Sequence, residues 1–446
     1  MPMNRRTLLT ATVAAMASAA VHARAPSYSG PKIIGRTWTP DRDDTGKIQA
    51  GNWQRLPLNT WLLVGSGVLN DVIELPHLTT VGGYDSAPSI MTNWSGAVYD
   101  PATKRSYIMG GGHNGSDECE TGIYCCDTNS LIYSRVQDRA PTSLRLTWNY
   151  ATKVLENVPR GDAYSTPLAD GRPGAVHSRY HINFLPPSFM GNSQGGIWMG
   201  GHAKGRFDFD SKTYDTCHWW NSGHSDRLDI PWAGIATIFD GESIYCFHEQ
   251  HYISRYALRE TQATDWSPAS SQKLYRRAFK MAPNFSGGKE AGTFCEMREL
   301  RQCMAFSPIL GHRRIRHGQA IDSGATNWTP YSDAITLASN DGSHNDFIKA
   351  NFTYATNSPM QCAGCVYDAA ADCLWFQRNE VGGHLYRIDG ISAGNTWVTT
   401  KIPGTGAIRE GINHTYGRMY LATMAGAKIL VRMTTIYHPI QVMRIS

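Results

Sequence analysis

The chain has 446 residues, of which 18% are charged and 11% aromatic, with 43 glycines and a net charge of +5. That weak positive charge, spread without a basic block, argues against a nucleic-acid partner, and no apolar segment reaches the roughly twenty residues of a bilayer-spanning helix. So long a chain, turn-rich and poor in helical periodicity, exceeds a single-core domain and points to an all-β repeat architecture.

At the N-terminus, Arg5-Arg6, the uncharged Ala-rich stretch from Thr7 to Val21 and Ala23-Arg24-Ala25 read as a cleavable export signal over residues 1–25. The paired arginines resemble the twin-arginine motif, which implies that an already folded chain is exported to the periplasm or secreted. Residues 26–446 are then expected to be one domain, a monomer with no membrane anchor once the signal is removed.

Within that domain one unit recurs. Trp94 to Asp100 alternates as a strand, Pro101 to Arg105 turns, and Ser106 to Met109 returns into Gly110-Gly111-Gly112-His113; Gly122 to Asp127 and Leu131 to Val136 supply two further strands. Four strands in about forty residues is the size of a propeller blade. The same plan returns from Tyr180 to Trp219, from Gly234, from Gly292, from Ala363 and from Gly411. Strand-sized segments before Trp94, including Asn52 to Trp61, either complete the last blade or belong to a seventh.

A short strand, a tight turn and a second strand ending in Gly-Gly resemble the kelch repeat of galactose-oxidase-type propellers. The resemblance implies a six- or seven-bladed β-propeller of four-stranded antiparallel blades. It says more about fold than about function.

Strand polarity places the start of each first strand and the end of each second strand on one face. On that face the sequence puts His113 and Asn114, then His177, Arg179, Tyr180 and His181, then His202 and Arg206, then Tyr245, His248, Glu249 and His251. Six histidines fall at this rim within three consecutive blades. His, Tyr and Arg together suit β-elimination on a uronic acid: a base removes the proton beside the carboxylate, a cation neutralises that carboxylate, and a donor protonates the leaving oxygen. The rim resembles that of the ulvan lyases, polysaccharide lyases built on propellers. The resemblance implies that His113 and Tyr180 transfer protons and Arg206 neutralises; Asn114, Arg179, His202, Tyr245 and His248, on the same rim, are expected to bind an acidic polysaccharide. Glycosidase chemistry would ask for paired carboxylates, and here Glu249 has no evident partner.

Cys295 and Cys303 lie symmetrically about Arg298-Glu299-Leu300, so a tight hairpin is expected to set them directly opposite each other. With His312 and His317 in the following loop they would form a structural zinc site, with a buried thiol pair as the alternative. Cys365 and Cys373 have the same apparent relation, with Cys362 nearby. No organic cofactor is expected. Two rival readings stand beside the lyase: a propeller that binds glycan or protein without turnover, and a copper-radical carbohydrate oxidase, for which no register supplies the required tyrosines, histidines and Cys-Tyr pair.

Overall fold

The computed structural model describes residues 36–73, 90–91, 96–110, 122–138, 146–149, 154–157, 178, 180, 182–199, 205–214, 236–241, 243–247, 252–257, 275–280, 293–300, 302–307, 311–316, 332–339, 363–377, 383–407 and 415–446. Residues 1–25, expected to be an export signal, lie outside them. The described residues form an all-β chain of small, mostly antiparallel sheets in a propeller arrangement. Sheet I holds the strands Gly96–Asp100, Arg105–Met109, Ile123–Asp127 and Ile132–Gln137 in sequence order. Sheet II spans Ile182 to Tyr214, sheet III Ala236 to Lys280 and sheet IV Thr293 to Ala334, each again a four-stranded meander. Sheet V has five strands between Thr336 and Ala407, and a small hairpin pairs Leu146–Asn149 with Val154–Asn157.

Sheet VI joins the two ends of the domain. Its inner strands, Met419–Met424, Ala427–Arg432 and Gln441–Arg444, come from the C-terminal part; Leu62–Val64 and Arg36–Trp38 add outside them. Leu62 pairs with Val442 and Leu63 with Gln441, antiparallel, while Arg36–Trp38 runs parallel to Leu62–Val64. The N-terminal segment therefore does complete the last sheet, but one step later than expected. Asn52 lies in a short helix, Ala50–Arg55, which buries Trp53 edge-on against Trp38 at a centroid separation of 5.4 Å. Of the repeat expected from Gly411, Gly411 to His414 lie outside the described residues, and its first described strand is Met419–Met424.

The turns explain why the meanders are so short. Asp100 caps the turn between the first two strands of sheet I, accepting the N–H groups of Ala102 at 3.0 Å and Thr103 at 3.2 Å. The fourth residue onward, Lys104, takes a left-handed backbone with φ of 59°. Asp127 with Leu131, Asp208 with Lys212 and Asp368 with Asp372 repeat this spacing, each second member at positive φ. An aspartate that folds back on its own turn, followed by one left-handed residue, reverses the chain without a longer loop.

Alternate residues then face two neighbouring sheets. In sheet I, Tyr107, Met109, Ile123 and Cys125 pack with Phe184, Ile197, Met199 and Phe207 of sheet II. Ile108, Tyr124 and Cys126 point the other way, against Ile429, Val431 and Val442 of sheet VI. Both faces are apolar because both are covered, which is why these strands read as nearly continuous hydrophobic runs. Sheets IV and V share a third cluster around Cys295, Met297, Phe376 and Trp397.

Candidate functional site: the central cavity

The innermost strands of all six large sheets, Gly364–Asp368 in sheet V and Met419–Met424 in sheet VI among them, line one cavity of about 380 Å³, through residues that include Tyr99, Ile182, Ile238, Glu296, Tyr367 and Tyr420. Each of these strands starts at one face, here the upper, and runs to the lower.

At the upper end, polar bonds tie neighbouring sheets together. The Gly96 N–H donates to the Ser178 hydroxyl at 2.9 Å, the Thr237 N–H to the Tyr180 carbonyl at 2.9 Å, and the Ala363 N–H to the Thr293 hydroxyl at 2.8 Å. Asn183 donates its side-chain amide to the Thr237 hydroxyl at 2.5 Å. Tyr180 is itself half-buried on the cavity wall. Its hydroxyl donates to the Ala363 carbonyl at 3.4 Å, so one side chain reaches from the start of sheet II to the start of the innermost strand of sheet V.

The lower end has a different character. Arg298 pairs with the Glu296 carboxylate through Nε at 3.3 Å and Nη2 at 3.5 Å. Burial in the channel holds the Glu296 carboxyl above its ordinary value, against the opposing pull of Arg298. Glu296 in turn raises Arg298, whose side chain keeps 45% of its surface accessible. Glu299 and Asp368 stand on the same wall. Asp368 is committed elsewhere: it accepts Lys428 Nζ at 2.6 Å and caps Ala371 at 3.2 Å. The Glu296–Arg298 pair escaped the sequence reading, although Cys295-Glu296-Met297-Arg298 alternates with the period of a strand and so puts both charges on one face.

Of the three residues expected to carry chemistry, Tyr180 stands on the cavity. His113 lies outside the described residues, as do Asn114, Arg179, His202 and His248. Arg206 is the second residue of the third strand of sheet II, opposite Trp198 and half-buried, and is absent from the cavity wall. Two strand spacings, about 10 Å, separate that strand from the first. Tyr245, expected at the rim, falls mid-strand in Ser243–Phe247, opposite Ile238 and Arg255.

The expected zinc shell does not converge among its described members. Cys295 pairs with Met304 and Cys303 with Glu296, so the two thiols occupy opposite faces of the hairpin. The turn begins after Met297, which pairs with Gln302, and this register differs by one residue from the symmetric one; a one-residue slip flips a side chain to the other face. His312 is in the third strand, opposite Phe306, three pairs from the Ile315 that faces Cys303. His317 lies outside the described residues. Cys365 and Cys373 are likewise not opposed, since Cys365 pairs with Phe376 and Cys373 with Asp368.

No protein-family description matches the chain, and no curated protein matches it. Solved structures do. A chain of the mitotic checkpoint complex superposes with a TM-score of 0.38 at 8% identity, covering 82% of this chain and 98% of that one. The major allergen Mala s 1 of Malassezia sympodialis gives a TM-score of 0.40 at 8% identity, covering 80% and 94%. Likeness of this degree says nothing about function.

Proposed function

We propose that the chain is an exported, six-bladed kelch-type propeller that cleaves a uronate-containing polysaccharide by β-elimination at the upper mouth of its cavity. Six sheets, each giving one strand to a single cavity, support the blade count. The reading of the chemistry rests on Tyr180, which stands on that wall at its upper end. A phenol there can donate to the leaving glycosidic oxygen or, once deprotonated, take the proton beside the carboxylate. His113 belongs to the connection between Gly110 and Gly122, the upper strand ends of the sheet next to Tyr180. It is proposed as the second proton-transfer group. Arg206 is proposed to neutralise the carboxylate, from a strand two places out.

The test is the ultraviolet absorbance of the unsaturated uronate that elimination leaves, followed on a panel of acidic polysaccharides. Tyr180→Phe keeps the ring that fills the mouth and removes the proton, so turnover should fall by about 10²-fold or more with binding and melting temperature near the parental values. Parental turnover in this variant would remove Tyr180 from the chemistry. A second reading, glycan binding without turnover, is favoured by the place of Arg206 off the cavity wall. Saturable binding of a polysaccharide with no absorbing product would establish it in place of the lyase.

A further inference from the structure

The two thiols that the hairpin register separates bring a different pair into view. Cys295 and Cys365 lie on the innermost strands of sheets IV and V, Thr293–Met297 and Gly364–Asp368, which run side by side. Both are buried, at 3% and 9% exposure, within one apolar cluster, and both stand on the wall of the same cavity. The Ala363 N–H donates to the Thr293 hydroxyl at 2.8 Å, two residues before each cysteine, so Cys295 and Cys365 stand level on the two strands. Cys303 and Cys373 each occupy the opposite side of their own sheets.

We propose that Cys295 and Cys365 are a disulfide-forming pair that staples sheet IV to sheet V once the chain meets an oxidising compartment. Level positions on neighbouring strands and a shared apolar cluster set the two side chains beside each other, and the cavity gives a small oxidant a way in. The oxidant is a low-molecular-weight disulfide. One cysteine thiolate attacks it, releasing one thiolate and forming a mixed disulfide; the second cysteine thiolate attacks the protein sulfur of that bond and expels the other. Two protein thiols are oxidised and one disulfide is reduced to two thiols. Burial holds the Cys295 thiol well above its ordinary value, so the reactive thiolate is scarce and the reaction slow at neutral pH. The closed loop contains most of sheet IV, and constraining so long a segment of the unfolded chain favours the folded state.

The experiment uses the full mature chain, purified reduced, incubated with hydroxyethyl disulfide, alkylated without reductant and digested with trypsin. The peptide Glu290–Arg298 should be found joined to Ala350–Arg378, with fragment ions placing the bond at Cys365 in preference to Cys362 or Cys373. The oxidised chain should melt at a higher temperature than the reduced one. Cys365→Ser should abolish the joined peptides, and Cys373→Ser should leave them. Recovery of Glu290–Arg298 in singly alkylated form after prolonged oxidation, or its linkage to another cysteine, would overturn the proposal. Because the wild-type chain supplies the decisive peptide, failure of a variant to fold does not blunt the test, and no outcome depends on polysaccharide cleavage.

Discussion

At Gly417 the backbone of the last repeat crosses the first. A Cβ added there would collide with the Ala97 carbonyl oxygen, a backbone atom that cannot swing aside. Its neighbour Arg418, fully buried, donates to the Met91 carbonyl, so this short turn closes the upper rim between sheets VI and I. Gly417→Ala is expected to cost about 1–3 kcal/mol, the usual range for forcing extra volume into a packed site, read as a lower urea midpoint. An unchanged midpoint would show slack between the two sheets. The place of Tyr180 at the mouth was legible because a residue that opens an inner strand lies at its end, whatever the length of the preceding loop. The place of Arg206 was not, because five residues separate Met199 from Gly205 and the arginine falls in the third strand.

Strands were legible where alternation and turn chemistry agreed. Sheet I follows its expected boundaries to within about two residues, and its two tight reversals carry the aspartate and left-handed residue seen again in sheets II and V. Register was less legible. In the hairpin of Cys295 and Cys303 no aspartate or glycine marks the turn, a 3-10 turn Arg298–Leu300 fills it, and symmetry about its centre predicts the wrong partner. The closing element was misplaced for a related reason: Asn52 to Trp61 contains apolar residues at strand-like intervals, yet a six-residue helix buries Trp53 there and pairing starts only at Leu62. That three-residue strand is a small hinge pin for a large ring. The Val64 N–H donates to the Ile440 carbonyl at 2.9 Å, and its side chain is fully buried. Val64→Pro deletes the donor at a covered position and should destabilise by about 1–3 kcal/mol, as one cooperative unfolding transition shifted to lower denaturant. A second transition confined to sheet VI would instead show that the rest of the ring holds without its closure.

Across the whole molecule, covering both faces of each sheet has a titration consequence. Burial pushes the Cys125 and Cys373 thiols from 9.0 up to about 12 and the Tyr107 phenol from 10.0 up to about 12. Between the ordinary and raised values the folded chain binds more protons than the unfolded one, so stability falls as pH rises. This contribution is fully present below pH 9 and is lost as pH climbs through about 12. Melting temperature should therefore decline steeply over that window, and Cys125→Ala should make the decline shallower. A flat profile would mean that these groups titrate in the folded state as they do when exposed. Finally, the pairing of Leu62 with Val442 and Leu63 with Gln441 sets a timetable for synthesis. A ribosome adding about 5–20 residues per second needs on the order of tens of seconds after Leu63 emerges before its partner strand exists. For that interval the nascent chain carries an unsealed sheet edge, the kind of template on which foreign strands dock. The C-terminal strand Gln441–Arg444 is what covers that edge once the chain is complete.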